Sequence, residues 1–122
     1  MMFKLQTCRG KEVVRNIANE DLESAYRNVP PESSPTITWN DLGDPVVIVA
    51  VGDGYSVVSV MRNDTWYYLT LGEDEEEVSV DIAGGIVDLP RNVVLPFETG
   101  LIVLKDTENF DHLMQAYSWR EQ

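Results

Sequence analysis

The chain has little with which to do covalent or metal chemistry. Its 122 residues include one cysteine, Cys8, and one histidine, His112. A lone cysteine excludes an internal disulfide and a cysteine-based metal cluster. A nucleophilic triad needs a base held against its nucleophile. Cys8 and His112 are separated by most of the chain, so the plain expectation is a half-buried structural cysteine and a surface histidine. No apolar run approaches the length of a bilayer span. Met1-Met2-Phe3-Lys4-Leu5-Gln6 lacks the apolar core of a signal peptide, and a reducing cytoplasm is the consistent compartment. Bases are scarce too: 9 Lys and Arg stand against 21 Asp and Glu, for a formal net charge of −12. Such a chain is repelled by nucleic acid and by anionic membranes, so neither is expected as a partner. A partner chosen by electrostatics is basic; the competing reading is that acidity serves only solubility.

What is present reads as a folded domain. The apolar content of 43% is that of a globular chain, and the length supports one domain over residues 1–122 with a real core. Met2 to Cys8 has a β-like mixture and Arg9-Gly10 is a turn candidate. Glu12 to Ile17 pairs back as a short hairpin, or else forms a helix from Lys11. Asn19 is placed as a helix N-cap with Glu20 and Asp21 in the first turn. Leu22, Ala25, Tyr26 and Val29 then form one apolar helix face, and Pro30-Pro31 stops the helix. Glu32 to Pro35 reads as loop and Thr36 to Trp39 as a short strand. Val46 to Val51 is apolar on both parities, as in a central strand with both faces covered. Gly52-Asp53-Gly54 and Asn63-Asp64 are turns that bracket a strand over Tyr55 to Met61.

Thr65 to Asp81 carries the most distinctive pattern. An aromatic strand, Thr65 to Leu71, meets the acidic run Glu73-Asp74-Glu75-Glu76-Glu77 and then the alternating Val78, Val80 and Ile82. Five successive carboxylates resist burial, so the expectation is a hairpin with a solvated, negative tip. Gly84-Gly85 reads as a bulge or loop, Ile86 to Leu89 resumes the sheet, and Pro90 ends it. Pro96 opens a helix with Phe97, Leu101 and Leu104 on one face and Glu108 continuing that row. Gly100 weakens the helix by about 1 kcal/mol relative to alanine. Ala116 to Trp119 is a final strand before the polar tail Arg120-Glu121-Gln122. The sum is an α+β domain: a mainly antiparallel meander with a helix near each end of the chain.

The acidic run lacks the alternate spacing and central glycine of a calcium loop, and the glycine pairs lack a phosphate loop's lysine and helix start. No metal or cofactor is expected. On the strand from Thr65, Trp66 and Tyr68 share a face opposite Tyr67, Leu69 and Leu71. If the leucine set is core, Trp66 and Tyr68 point outward as interface anchors; otherwise a helix covers them.

A sequential order of short motifs adds to this reading. Tyr68-Leu69-Thr70-Leu71-Gly72 precedes an acidic strand and Leu89-Pro90. Val94-Leu95-Pro96-Phe97-Glu98 opens a helix, and Tyr117-Ser118-Trp119-Arg120-Glu121 closes the chain. The order resembles the first Imm family of bacterial immunity proteins, over roughly Val46 to Glu121. Gly100 and Thr107 interrupt the family's regular helix row, and Asp111-His112-Leu113-Met114 replaces its glycine-and-proline loop. The resemblance implies a non-enzymatic α+β inhibitor that binds a cognate toxin domain, many of which are nucleases or deaminases with basic grooves.

The expected function is thus a cytoplasmic immunity protein, a monomer or weak oligomer when free, that plugs a basic toxin groove. The candidate contact residues are Trp66, Tyr68, Asp74, Glu75, Glu76 and Glu77, with Asp53 and Asp64 from neighbouring turns. The alternatives are a structural or adaptor subunit of a secretion or phage-related assembly that uses a sheet edge, and a small enzyme using carboxylates in a pocket.

Overall fold

The computed structural model describes residues 2–122. Its strands are β1 (Met2–Thr7), β2 (Val14–Ala18), β3 (Pro35–Trp39), β4 (Val46–Val51), β5 (Tyr55–Arg62), β6 (Thr65–Thr70), β7 (Glu77–Ile82), β8 (Gly85–Pro90), the two-residue β9 (Leu95–Pro96) and β10 (Ser118–Glu121). The helices are α1 (Leu22–Asn28), α2 (Phe97–Lys105) and α3 (Phe110–Ala116). The fold is α+β. The main sheet runs β10-β6-β5-β4-β3-β1-β2, with β9 added beside the start of β5. Every neighbouring pair in it is antiparallel. β7 and β8 form a separate ribbon.

Local chemistry explains the strand sequence. The β-branched run Val46 to Val51 suits a pleated, doubly covered strand, and β4 lies in the middle of the sheet. Asn63 and Asp64 both take positive φ between Arg62 and Thr65, which face each other across β5 and β6. That is the two-residue hairpin turn whose twist matches the strands it joins.

The two faces of the sheet are covered differently. On one, Phe3, Leu5, Ile17, Ile37, Val47, Val49, Val58, Val60 and Leu69 pack with Leu22 and Tyr26 of α1, Leu101, Val103 and Leu104 of α2, and Leu113 of α3. On the other, Ala50 and Val57 meet Leu89, Val93, Val80 and Ile82 of the ribbon and its exit. The expectation of two covered faces for β4 holds, one under helices and one under the ribbon.

The start of α2 is bonded to the sheet by buried polar groups. The Tyr26 hydroxyl donates to the Phe97 carbonyl at 2.6 Å, and burial pushes this phenol up to about 12. The Ser56 hydroxyl donates to the Pro96 carbonyl at 2.9 Å and accepts from the Gly100 amide at 3.1 Å. A methyl group at Gly100 would come within 2.7 Å of Val49 and 2.9 Å of Ser56, and closer still to the Tyr26 hydroxyl. Gly100 is the point of closest approach between helix and sheet. Outside, the Arg27 guanidinium grips Glu98 through two bonds of 2.6 and 2.9 Å, while Glu23 takes Lys105. Those cations hold both carboxyls below the usual range.

Several expectations are corrected. Thr65–Asp81 is not a hairpin: β6 pairs with β5 and β10, and β7 pairs only with β8. The true hairpin turn is Ala83-Gly84, both at positive φ, which joins Ile82 to Gly85. A two-residue turn of this kind closes a hairpin at less entropic cost than a six-residue acidic connection. Asn19 opens a 3-10 turn over Asn19–Asp21, and α1 begins after it without a side-chain cap. A 3-10 turn also replaces the expected loop at Pro31–Ser33. The last helix stops at Lys105, and Thr107 is followed by a separate α3 that the sequence reading lacked. The closing strand starts at Ser118 and takes in Arg120 and Glu121, which had been read as tail.

Candidate functional site

Taking the β4–β5 turn as the lower end of the sheet and the β5–β6 turn as the upper, the ribbon lies across the lower half of the second face. Its tip is fastened at the far side. The Asp81 carboxylate accepts from Arg9 at 2.5 and 2.8 Å and from the Ser34 hydroxyl at 3.3 Å, and that hydroxyl accepts from the Gly84 amide at 2.7 Å. Between tip and base, the Tyr55 hydroxyl donates to the Asp81 carbonyl at 2.8 Å. Burial raises that phenol's pKa.

The ribbon does not reach the upper half of the face, where Val46 and Thr38 are buried and Trp66 is exposed. The register carries one row across it: Lys4, Thr38, Ile48, Ser59, Tyr68 and Arg120. The row above holds Val46, Met61 and Trp66. Trp66 keeps 37% of its surface exposed in the middle of a strand, and an aromatic that size leaves water readily at an interface. Tyr68 is half-buried against the ribbon's small core. The expected outward face of β6 is therefore real for Trp66 and only partial for Tyr68, and its cover is a ribbon, not a helix.

The acidic run is a fastened strap between β6 and β7. The Leu71 amide donates to the Asn92 carbonyl, the Asn92 amide to the Asp74 carbonyl and the Arg91 amide to the Glu76 carbonyl, each at 2.8 Å. Asp74 pairs with Arg91 at 3.3 Å and Glu75 with Arg120 at 2.9 Å. Glu73, Glu76 and Glu77 are exposed and lie outside the ion pairs. Two of the strap's five carboxylates are thus neutralised by arginines that composition alone does not connect to it. Arg120 sits opposite Tyr68 on β10, so Glu75, Arg120, Tyr68 and Trp66 form one continuous patch at this edge.

The remaining candidates are split. Asp53, in the lower turn, lines a shallow depression of about 280 Å³ with Glu32, Tyr55 and Asp81. Asp64, in the upper turn, is separated from it by the eight residues of β5, roughly 25 Å of strand. The structure places Asp53 at the strap's end of the sheet and leaves Asp64 apart from the strap. Cys8 and His112 are not brought together either. Cys8 lies at the lower end beside Gly84, where burial raises its thiol pKa. His112 lies beside Trp39 and Pro45 at the upper end.

Charge is distributed unevenly. Arg9, Arg91 and Arg120 secure the ribbon and strap. Arg27 and Lys105 join the helices, Lys4 pairs with Asp41, and Arg62 lies 3.9 Å from Asp111. Among the described residues only Lys11 and Arg15 remain free of a carboxylate. Most of the basic charge is spent inside the molecule, and the field presented to a partner is that of the leftover carboxylates.

No helix of the described residues is long and apolar enough to cross a membrane. Set against models of protein families, curated proteins and solved structures, the chain matches none of them.

Proposed function

We propose that this chain is an immunity protein: a non-catalytic inhibitor that occupies the basic groove of a toxin domain acting on nucleic acid. The observation that carries the reading is the charge arrangement. Among the described residues seven of the nine Lys and Arg are paired with carboxylates of the same chain, while Glu73, Glu76 and Glu77 follow directly on the strand that carries the exposed Trp66. The free carboxylates Glu73, Glu76 and Glu77 attract a basic groove and speed encounter. Trp66 and Ile48, with Met61 beside them, supply the apolar contact that slows release. Asp53 extends the negative rim at the lower end, and Asp64 is not needed.

The test pairs the chain with the toxin domain encoded beside its gene. Co-expression restores growth, and association slows steeply as salt rises from about 0.05 to about 0.5 M. Lysines at Glu76 and Glu77 lower the on-rate and flatten the salt dependence, and Trp66→Ala speeds release. Failure to protect cells, or association insensitive to salt and to these charges, overturns the reading. A second reading, an adaptor that docks through a sheet edge, draws on the open edge at β2. It is supported instead if the chain self-assembles and protects against no toxin.

A further inference from the structure

A cavity lies away from the acidic strap, on the opposite, helix-covered face. It is a groove of about 480 Å³ between the edge strand β2 and α1. Its floor is apolar, with Leu5, Ile17 and Val29, and its rim carries Arg15 on the strand and Asp21 and Asn28 on the helix side.

β2 ends the sheet order. The Thr7 amide donates to the Val13 carbonyl at 2.9 Å. Alternation then turns the backbones of Val13, Arg15 and Ile17 towards β1, and those of Val14, Asn16 and Ala18 outward. Those outward N–H and C=O groups face solvent. The strand carries no proline and no covering element and starts on an exposed valine, Val14; its guards are its five-residue length and the groove-facing charge of Arg15.

We infer that this edge binds an extended peptide segment of a partner by strand addition, with an apolar–x–acidic–x–apolar pattern. The segment's backbone pairs with Val14, Asn16 and Ala18, and its alternate side chains enter the groove beneath α1. Those side chains lie opposite Val13, Arg15 and Ile17, at positions where cross-strand side chains are closest. Valine or isoleucine suits the two outer positions. The central one faces Arg15, one of two unpaired Lys and Arg among the described residues, so an acidic residue stabilises it and a basic one does not. Asp21 stands on the far wall, across the groove from the added strand, and Glu12 and Glu20 flank the hairpin outside it. This inference is independent of the toxin reading, since it uses the other face and the opposite edge of the sheet.

The test uses the intact chain and two capped pentapeptides, Val-Thr-Glu-Thr-Val and Val-Thr-Lys-Thr-Val, followed by amide NMR. The glutamate peptide is expected to shift and protect the amides of Val14, Asn16 and Ala18. It binds about fivefold more tightly than the lysine peptide, although the net charge of −12 favours the latter. Arg15→Glu inverts the ranking, and because Arg15 is exposed the substitution leaves the fold intact. Asn16→Pro removes one edge donor and weakens the glutamate peptide. Equal or tighter binding of the lysine peptide to the natural chain overturns the inference, as do shifts that map elsewhere. Shifts at the same amides on concentrating the chain without peptide assign the edge to a second copy and overturn it too.

Discussion

The helix-covered face of the main sheet holds a continuous core drawn from β1 to β6, β9 and three helices. The ribbon-covered face buries only Ala50, Val57, Leu89 and Val93 together. The first face joins distant segments of chain, and its loss is the loss of the fold. The second joins a locally paired hairpin to a sheet that is already complete, and above the ribbon it buries Val46 and Thr38 but leaves Trp66 exposed. Stability therefore concentrates on one side of the sheet. The chain can alter the ribbon, strap and open face without rebuilding its core.

The sharpest way to break this comparison is to make the same truncation on each side. Leu104→Ala, fully buried under the helices, is expected to cost about 3 kcal/mol and to lower the midpoint of the whole denaturation transition. Leu89→Ala, at the ribbon's base, is expected to cost about 1 kcal/mol, because the rim can collapse into the space. Its mark is local: ribbon amides exchange faster while β4 and β5 amides stay protected. Equal losses, or global unfolding from the ribbon variant, would show that the two faces form one cooperative unit.

Gly100 sharpens the comparison next. Its effect on helix propensity and its effect on packing have opposite signs. Replacement by alanine relieves roughly 1 kcal/mol of helix penalty. The added methyl meets Val49, Ser56 and the Tyr26 hydroxyl, and such overpacking costs roughly 1–3 kcal/mol. The bond from Tyr26 to the Phe97 carbonyl is strained in the same step. Gly100→Ala is therefore expected to be destabilising by about 1–2 kcal/mol, with the melting temperature down by roughly 5 °C. A stabilised variant would mean that the helices sit loosely on the sheet.

This glycine also marks a limit of what the sequence discloses. From the chain alone Gly100 is a flaw in a helix; only the fold supplies the neighbours that make it necessary. The strands and most of their turns were legible, because alternation, the β-branched run at β4 and the turn at Asn63-Asp64 are local signals. The antiparallel order from β3 to β6 follows from joining neighbours. The same habit misassigned β7. Adjacent strands usually pair, and the acidic run resembled a tip. The stronger signal was the short Ala83-Gly84 connection between two alternating segments. The strap's ion pairs were hidden for another reason: Arg91 and Arg120 are brought to Asp74 and Glu75 by tertiary structure, and composition records charge without partners. Trp66 was legible because one strand cannot bury both its parities in a one-sided core. The β2 groove was not, since it exists only where α1 passes beside an edge.

The smallest expected effect belongs to the open face. Trp66 is large, aromatic and mid-strand, and by residue type alone its removal would be costly. Its position argues otherwise. It lies beyond the ribbon, outside both buried clusters. Its backbone carbonyl accepts from the Gln122 amide at 2.9 Å whatever the side chain, and threonine keeps the β preference of the site. Trp66→Thr is expected to change stability by no more than about 0.5 kcal/mol, as at other exposed positions, measured by urea unfolding with an unchanged slope. A loss above about 2 kcal/mol would make Trp66 a structural residue and remove the anchor from the proposed interface. A neutral result leaves an exposed tryptophan that the fold does not need, on the part of the face that the ribbon does not reach. That outcome is what the proposed toxin contact requires of its anchor.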